Sequence, residues 1–372
     1  MPQKEKTTLK ENLEKKVKEL TALYEVGKSI TSTLQLDQVL NIITKKAAKI
    51  TGASSCSLRL INNNGDSLIL KCAYGLDNKL FKIKKSLKIG ESIAGRVLKD
   101  KKPYIINDLK KEKLYKYPHL ARQKGLNALL TVPLEQKNKV IGVLSIYNKK
   151  PCKYTNGDVM LLSMFASQAT IAIENAKLYE QAKNGYFNTI KTLSNIIDAK
   201  DSHTFGHSER VMQQSVAIAS ELKLSEEQKE KLKYASLLHD IGKIGIDVGL
   251  LRKPSKLNEE EWRTMILHPV LGSGIIEQID FLKDLAPIIL RHHERYDGKG
   301  YPGKLKREKI PLEARILAIT DAYECMVSDR PYRKALSLQK AKQELLKNSG
   351  TQFDPQIVKA FLRVIGKNKK KR

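Results

Sequence analysis

The chain has 372 residues, which is enough for two or three domains with separate hydrophobic cores. Its hydrophobic fraction of 41% and charged fraction of 29% are typical of a globular protein and exclude an intrinsically disordered chain. No run approaches the roughly 18 consecutive apolar residues of a membrane span, and the charged first residues lack a signal-peptide core. The four cysteines form no CxxC pair, which excludes a disulfide framework and predicts a cytoplasmic protein.

The formal net charge is +28, and the lysines that cause it are spread over the whole chain. Local excess occurs only at residues 99–103, 110–116 and 367–372. Nucleic-acid-binding proteins usually concentrate positive charge on one stripe or helix. The distribution therefore favours an anionic small-molecule substrate, or a generally lysine-rich composition, over nucleic-acid binding. Binding to nucleic acid would show a steep dependence on salt concentration.

The first 50 residues have helical periodicity. Residues 5–30 carry apolar side chains on a heptad-like seam, and we predict a helical lead-in over residues 1–20. A second predicted helix opens at Leu36-Asp37 and ends at Gly52, with Val39, Ile42, Ile43 and Ala47 on one face.

Two hairpins and a short strand follow. SSCSLRLIN and SLILKCAYG alternate apolar and polar residues around the turn 62–66, and ALLTVPLEQ and KVIGVLSIYN flank Lys137-Asn138. A short strand, PYIIND, lies between them, and a long helix is predicted from about residue 158 to residue 200. This order predicts an α+β domain with a central antiparallel sheet flanked by helices. Asn184-Gly185 is the weak point of the long helix, because glycine costs up to about 1 kcal/mol inside a helix.

Residues 21–180 resemble a GAF domain. The resemblance rests on IGESIAGRV (89–97), on the hairpin VPL…KVIGVLSIYNK (132–149) and on the closing helix FASQATIAIENAKLYE (165–180). It implies a sensory module that is often dimeric, that binds a small ligand in some members, and that regulates the domain following it. We therefore expect a homodimer through the GAF domain and the long helix, whose sensor ligand is unknown.

Nucleotide-binding GAF domains carry a signature that this chain matches only loosely, at Asn148, Lys149, Tyr154 and Asp158. The same residues have an alternative role in shaping the loop before the long helix. His119, the only histidine of this half, is predicted to be a surface residue rather than a haem ligand.

From about residue 184 the strand signals disappear. Ser225 with Gln228 and Asn258 with Glu261 form predicted capping boxes, and Asp354 precedes a proline at a helix start. Residues 181–366 are predicted to form an all-α domain, followed by a basic tail at 367–372.

Six of the seven histidines fall between His203 and His293, and two aspartates accompany them. Each histidine alone has a structural alternative, as a hydrogen-bonded core residue or a solvated helix face, but together they indicate a metal centre. The candidate ligands are His203, His207, His239, Asp240, His268, His292, His293 and Asp321. The seven from His207 onward exceed the six positions of one octahedral ion, so we predict at least two ions bridged by Asp240. Imidazole with carboxylate suits iron, manganese, nickel or zinc better than magnesium or calcium.

Two adjacent metal ions suit phosphoryl displacement, because they stabilise the attacking and the leaving oxygen. Lys243, four residues after His239, is placed to contact a phosphate oxygen. The sequence therefore predicts hydrolysis of a phosphodiester or a phosphomonoester, with Lys243 and Asp240 as catalytic residues.

Residues 185–366 resemble the HD-GYP family. Beyond the HD pair at 239–240, the resemblance rests on HHERYDGKGYP (292–302), on IPLEARILAITDAYECMVSDRPYR (310–333) and on GTQFDP (350–355). It implies a bacterial phosphodiesterase that linearises cyclic di-GMP to pGpG, and in some members continues to GMP, with iron or manganese as the expected metals. Gly300, Tyr301 and Pro302 are the loop that names the family, and Gly298 and Gly300 are expected to allow an unusual backbone path.

The same resemblance assigns further roles. Lys243 would contact a phosphate, and Arg330 and Arg333 would hold the other phosphate or a guanine, with a solvated helix face as the alternative role of the two arginines. Glu294 and Asp297 are candidates to orient ligand imidazoles. Members with three metals have a glutamate four residues before the first histidine ligand, and this chain has His203 at that position. The number of bound ions is therefore predicted as two or three.

One alternative is a different substrate, another cyclic dinucleotide such as cyclic GMP-AMP. A second alternative is a catalytically silent receptor or scaffold with the same fold. A GGDEF-type protein is a candidate partner.

Overall fold

The computed structural model describes residues 33–76, 86–90, 92–113, 115, 121–122, 125–150, 152–201, 206–329 and 334–369. The lead-in predicted over residues 1–20 lies outside the described residues, as does His119. The chain divides into two compact units, Met1–Lys183 and Asn184–Arg372. The domain boundary predicted at residue 180 stays a prediction.

The first unit is built on one antiparallel sheet. Its elements are α1 (Leu36–Ile50), β1 (Ser55–Ile61), β2 (Ser67–Tyr74), β3 (Ser86–Lys88), α2 (Ile93–Asp100), β4 (Tyr104–Ile106), β5 (Ala128–Gln136), β6 (Lys139–Asn148) and the start of α3 (Asn156–Lys200). The six strands lie in the order β3-β2-β1-β6-β5-β4, and all neighbours are antiparallel. The predicted α+β class is confirmed, because helices flank a central sheet.

Both predicted hairpins form, and their turns explain why. Lys137 and Asn138 join β5 to β6 with φ angles of 47° and 64°. Two consecutive residues with positive φ are the mark of a type I′ turn, whose twist matches that of the flanking strands. The β1–β2 turn is closed by Asn62, whose side-chain oxygen accepts from the backbone N–H of Asp66.

The core of the first unit lies between the sheet and helices α1 and α3. Val39, Ile43 and Ala47 of α1 are buried, as the spacing of apolar residues in the sequence predicts, and Gly52 ends the helix with a φ of 64°. From α3 the core receives Leu162, Phe165, Ala166, Ala169, Ala172, Ile173 and Ala176. The alternation of alanines with larger side chains lets this helix lie close to the sheet.

Helix α3 is the single described element long and apolar enough to cross a membrane by length and composition. In its most apolar window 44% of the residues are buried within the protein. Its first turns pack on the sheet of the first unit, so its apolar composition is explained by its place in the core of that unit. Helix α3 also stays helical through Asn184-Gly185, the predicted weak point.

The second unit is helical. The β structure of its described residues is limited to an isolated bridge between Ser349 and Phe353. Its helices are α4 (His207–Glu221), α5 (Glu226–Leu238), α6 (Val248–Leu251), α7 (Glu259–Met265), α8 (His268–Glu277), α9 (Ala286–Arg291), α10 (Leu312–Val327), α11 (Leu338–Lys347) and α12 (Pro355–Lys369). A 3-10 segment, Ile241–Gly245, follows α5. The predicted capping boxes are present at the starts of α5 and α7. Helix α12 begins at the predicted proline but runs to Lys369, so the predicted basic tail begins inside a helix.

One of the cores of this unit lies directly beneath the residues predicted to bind metal. Leu238, Ile241, Ile276, Ile289 and Leu317 belong to the same buried cluster. These residues lie on α5, the 3-10 segment, α8, α9 and α10, the elements that carry or adjoin His239, His268, His292 and Asp321. The apolar core therefore fixes the relative positions of the polar groups above it.

The 3-10 segment approaches α8 closely at Gly242. A Cβ atom at residue 242 would collide with the backbone carbonyl oxygen of His268 and with the backbone nitrogen of Gly272. Backbone atoms cannot move aside as a flexible side chain can, so this approach requires glycine. The contact lies two residues after Asp240 and thus controls the distance between Asp240 and the start of α8.

We predict that Gly242→Ala destabilises the protein by about 1–3 kcal/mol, the usual cost of overpacking. Gly274→Ala is the matched control, because residue 274 is exposed in the middle of α8 and a Cβ there would contact nothing within 4 Å. The control should be neutral or stabilising by up to about 1 kcal/mol, since alanine favours the helix. Urea unfolding of both variants measures the difference, and equal stabilities would contradict the close approach.

Candidate metal centre

The candidate ligands lie mainly at helix ends. His207 is the first residue of α4, His268 is the first residue of α8, and His239 and His292 directly follow α5 and α9. Asp321 lies within α10. Helix ends leave backbone groups without partners in the helix, and these groups are available to side chains nearby.

Three imidazoles are oriented by such backbone groups. In each, Nδ1 donates to the carbonyl oxygen three residues earlier: His239 to Ser236 at 2.8 Å, His268 to Met265 at 2.8 Å, and His292 to Ile289 at 2.6 Å. A proton held on Nδ1 leaves the lone pair of Nε2 as the ligand atom. The three Nε2 atoms are therefore presented in the form that binds metal.

Asp240 lies between two groups of histidines. Its Oδ1 is 3.4 Å from Nε2 of His268, and its Oδ2 is 3.4 Å from Nε2 of His239. Nε2 of His268 is in turn 3.4 Å from Nε2 of His292. Each carboxylate oxygen thus faces a different set of imidazoles, which is the arrangement that a bridging carboxylate requires. The bridging role itself stays a prediction.

Two sets of donors surround this carboxylate. We call His268, His292 and His293 the imidazole half, and His207, His239, Asp321 and Cys325 the mixed half. The three donor atoms of the imidazole half lie within 4.8 Å of one another. The same limit holds for the donor atoms of His207, Asp321 and Cys325, and for those of His207, His239 and Asp240. In the mixed half Nε2 of His207 is 3.1 Å from Oδ1 of Asp321, and Nε2 of His239 is 3.9 Å from the same oxygen.

These residues fit divalent metal ions. Nε2 of His239 is buried without a hydrogen-bond partner, and burying such an atom is unfavourable unless something binds it. The donors are imidazoles and carboxylates around a shared oxygen pair, the set that borderline divalent ions prefer. These features support the prediction of a divalent-metal site.

The imidazole half is uncharged at neutral pH. Burial lowers the pKa of His292 well below its usual range, and the neighbouring imidazoles lower it further. Burial also lowers the pKa of His293 to about 3 and lowers that of His268, for which Asp240 only partly compensates. Metal ions bind neutral imidazole, so no proton has to leave these rings when a metal binds.

The carboxylates are held in their charged form. Burial opposes ionisation of Asp240, but Lys243 and His239 outweigh it and lower the pKa well below the usual range. The pKa of Asp321 is lowered in the same way against burial, chiefly by its hydrogen bond to His207. Burial acts to lower the pKa of His207, but Asp321 reverses the effect and raises it. The carboxylates of Asp240 and Asp321 therefore supply the negative charge that attracts a cation.

A cavity of about 450 Å³ opens onto the centre, within the roughly 300–1,000 Å³ of small-ligand pockets. Its polar wall includes Asp240 and Lys243, and its apolar wall includes Trp262, Met265 and Tyr301. The ammonium of Lys243 is 2.8 Å from Asp240 and 2.9 Å from Asp201, and their charges raise its pKa despite burial. Lys243 is thus a fixed positive charge at the edge of the metal centre.

Several residues of this cavity were not expected from the sequence. Trp262 lies in edge-to-face contact with Tyr301, with ring centroids 6.2 Å apart, and Tyr301 in turn lies against His293 at 5.0 Å. Asp201 pairs with Lys243, and Cys325 contacts Asp321. Trp262 is the only tryptophan of the chain and lies six residues before His268. This proximity in sequence to a candidate ligand could have indicated that Trp262 belongs to the site.

The expectation that Glu294 and Asp297 orient ligand imidazoles was wrong. The buried carboxylate of Glu294 accepts instead from the backbone N–H groups of Gly303 and Leu305, at 2.6 Å and 3.1 Å. Asp297 pairs with Arg295 at 2.9 Å. The physical reason is that backbone carbonyls already orient three of the imidazoles, while Glu294 and Asp297 make their hydrogen bonds within the loop 292–305.

That loop also explains the glycines. Gly298 has a φ of 78°, and a Cβ at Gly300 would collide with backbone atoms of His293, Glu294 and Arg295. The backbone therefore folds back on itself and places Tyr301 beside His293. The predicted unusual path of this loop is present.

Three predicted site residues lie outside the described residues: His203, Arg330 and Arg333.

In the first unit, Tyr154 is buried and Asp158 accepts from the backbone N–H of Thr155 at 2.7 Å. These contacts agree with the alternative role of the loose nucleotide signature, in which its residues shape the loop before α3.

Comparison with known proteins agrees with this architecture. The sequence profile of the GAF domain matches residues 33–174, and that of the HD domain matches residues 191–357. The chain is 42% identical over 177 residues to the cyclic di-GMP phosphodiesterase response regulator RpfG of Xanthomonas campestris pv. campestris, with 47% of each chain covered. It is 37% identical over 190 residues to a cyclic di-GMP phosphodiesterase of Thermotoga maritima, covering 50% of this chain and 52% of the relative.

A further relative is the 3'3'-cGAMP-specific phosphodiesterase 3 of Vibrio cholerae, 35% identical over 200 residues, with 54% of this chain and 44% of the relative covered. The chain thus spans about half the length of the curated relatives it matches.

The fold and the candidate metal centre define a two-domain protein, with an α+β domain built on an antiparallel sheet and a helical domain that carries a candidate divalent-metal site. The chain combines a GAF domain with an HD domain, and the HD-GYP resemblance predicted from its motifs is confirmed by the similarity to relatives that are named cyclic di-GMP phosphodiesterases.

We predict that Asp240→Asn lowers the number of ions bound per chain from about two to one or fewer, because both halves lose their shared carboxylate. Metal analysis after reconstitution and dialysis measures this number. Asp247→Asn is the matched control: it is the same substitution seven residues away, at a helix start where asparagine caps equally well. A full metal complement in Asp240→Asn would contradict the bridging role.

Proposed function

We propose that the second unit is a metal-dependent phosphodiesterase that hydrolyses a cyclic dinucleotide, with cyclic di-GMP as the first candidate and pGpG, or GMP after a second cleavage, as the product. One observation carries the proposal: six candidate metal ligands surround a seventh, Asp240, beside a cavity that is lined by Lys243. The names of the relatives supply the substrate class.

The metal ions, when bound, would supply Lewis-acid stabilisation of phosphate oxygens. We propose that His268, His292 and His293 hold one ion, that His207, His239 and Asp321 hold another, and that Asp240 bridges them. Iron and manganese are the proposed metals, with nickel and zinc as alternatives. A third ion would require His203.

Lys243 is proposed to bind a non-bridging oxygen of the reacting phosphate. Asp201 and Asp240 hold its ammonium at the cavity wall, so little side-chain freedom is lost when a phosphate binds there. A fixed positive charge stabilises the additional negative charge that develops as the phosphodiester reacts. Arg330 and Arg333 are proposed to hold the second phosphate or a guanine.

The apolar wall is suited to a nucleobase. Trp262 and Tyr301 present aromatic rings, and Met265 adds an adaptable apolar surface beside them. A purine can stack on such rings while its phosphate faces Lys243. Every base has a flat face, so stacking alone does not separate guanine from adenine. For this reason 3'3'-cGAMP, the substrate named for one relative, is kept as the second candidate.

The decisive experiment measures turnover of cyclic di-GMP and of 3'3'-cGAMP by protein purified without oxygen and reconstituted separately with manganese and iron(II). We expect hydrolysis by the native chain, and none by the double variant His239→Ala, Asp240→Ala, which lacks two central ligands. Lys243→Met should lower kcat by roughly 10²-fold, the effect of removing one preorganised charge donor. Lys283→Met, at an exposed position outside the cavity, is the control for loss of a lysine.

The pattern of results separates the alternatives. Turnover of only one dinucleotide identifies the substrate, and accumulation of GMP would favour a third ion. If the chain binds two ions but cleaves neither dinucleotide, the substrate assignment is wrong. A chain that binds no metal and shows no turnover is the silent scaffold.

We propose further that the GAF domain regulates this activity by binding a small ligand. In the first unit a small cavity is lined by Arg59 and by the hydroxyl groups of Ser92, Thr131, Ser145 and Tyr147, among other side chains. Such a lining suits a polar or anionic compound of small size. Whether the ligand activates or inhibits is a question for turnover assays with and without it.

A homodimer is proposed through helix α3. Exposed apolar side chains recur along it at intervals of seven residues: first Met164, Ile171 and Leu178, then Tyr179, Tyr186 and Leu193. Seven residues are the repeat of a coiled-coil seam, and large apolar side chains at that repeat favour a second, identical helix as their partner. A parallel pair of such helices would relay the state of one domain to the other, and a GGDEF-type protein is kept as a heterologous partner.

We predict that Tyr179→Glu with Tyr186→Glu converts a dimer of the native chain into a monomer, because four buried like charges would face each other across the two-fold axis. Gln181→Glu with Asn188→Glu is the matched control, since these exposed residues have the same spacing but point about 200° away around the helix. Light scattering at micromolar concentration gives the mass. A monomeric native chain, or equal masses for both double variants, would refute the interface.

A further inference from the structure

Cys325 lies one helical turn after Asp321 on α10, so both side chains lie on the same face of the helix. The thiol donates to Oδ1 of Asp321 across 3.3 Å, and the side chain lines the cavity of the metal centre. The donor atoms of Cys325, Asp321 and His207 all lie within 4.8 Å of one another. This spacing allows all three to contact a single ion.

A second observation points to a ligand at the same place. Nε2 of the buried His239 has no hydrogen-bond partner; it lies 3.4 Å from Oδ2 of Asp240 and 3.9 Å from Oδ1 of Asp321, the oxygen that Cys325 also contacts. A buried acceptor without a partner is unfavourable unless a ligand completes it. The unpartnered nitrogen and the thiol thus converge on one carboxylate oxygen.

The two halves of the centre differ in their donors as a result. The imidazole half offers three nitrogens, whereas the mixed half adds sulfur to nitrogen and oxygen. Thiolate sulfur prefers thiophilic ions such as zinc, while manganese prefers oxygen donors. A sulfur donor in one half alone would give the two metal positions different preferences.

We propose that Cys325 is a ligand of the metal ion in the mixed half, and that this half takes a thiophilic divalent ion in preference to manganese. On binding, the thiol releases its proton to solvent and its sulfur donates an electron pair to the ion, with no change in oxidation state. The proposal rests on the metal centre of the proposed function but does not depend on which phosphodiester is cleaved.

The test is titration of the metal-free full-length protein with cobalt(II) without oxygen, followed by absorption spectroscopy. A cobalt–thiolate bond gives a charge-transfer band in the near ultraviolet, and the visible bands report cobalt binding itself. We expect the charge-transfer band in the native chain and its loss in both Cys325→Ser and Cys325→Ala. Cys152→Ser is the matched control, because Cys152 is partly exposed, lies in the first unit and should leave the band unchanged.

The spectra decide the matter without an activity measurement. Cobalt binding with the same charge-transfer band in native chain and Cys325→Ser would overturn the proposal, and so would cobalt binding without any band. Metal analysis of the manganese-loaded protein tests the stated preference: release of manganese by zinc at a lower concentration from the native chain than from Cys325→Ser supports it, and equal concentrations would overturn it. Absence of cyclic dinucleotide turnover alongside a Cys325-dependent band would overturn the proposed substrate alone.

Discussion

The buried carboxylate of Asp240 is the constraint on which the second unit depends. A buried charge is costly unless opposite charges and hydrogen-bond donors compensate it, and here Lys243 and the surrounding imidazoles do so. Such compensation works only if several helices hold their ends at fixed distances. The apolar cluster that includes Leu238, Ile289 and Leu317 provides that rigidity, and Gly242 allows the closest approach. The polar centre and the apolar core beneath it are therefore one structural feature.

The division of charge within the centre follows from the same constraint. The imidazoles that crowd together lose their protons, because burial and mutual repulsion act in the same direction. Asp321 and His207 instead stabilise each other's charged forms. One side of Asp240 is thus a neutral nitrogen site and the other a charged site with access to sulfur. The asymmetry arises from the elements that carry the ligands, because Asp321 and Cys325 lie within α10 whereas the imidazoles of the other half lie at helix ends and in the loop after α9.

Features set by neighbours in the chain could be predicted from the sequence, and so could the metal ligands, because their residue types indicate one shared chemistry. Other features set by distant contacts could not. The turn at Lys137-Asn138 and the capping boxes at Ser225 and Asn258 are local, and all three form as predicted. The central position of Asp240 also follows from its adjacency to His239. Trp262 and Asp201 join the cavity only through packing between distant segments. Glu294 was misassigned for the same reason, since its partners lie nine and eleven residues further along a folded loop.

Helix α3 shows how a seven-residue repeat can be accommodated on an α-helix. Six of its exposed apolar residues, from Met164 to Leu193, keep a spacing of seven but shift by one position between Leu178 and Tyr179. A strict seven-residue repeat drifts by about 20° per heptad on a straight helix, and a one-residue step turns about 100° the other way. Two heptads drift by about 40°, so the step carries the stripe about 60° beyond its starting direction, and the next two heptads bring it back by about 40°. The six residues therefore stay within an arc of about 100° on one side of the helix. Two helices that meet along such a stripe would pack in two short registers joined at residues 178–179, and a rotation of one register relative to the other would be concentrated at that junction.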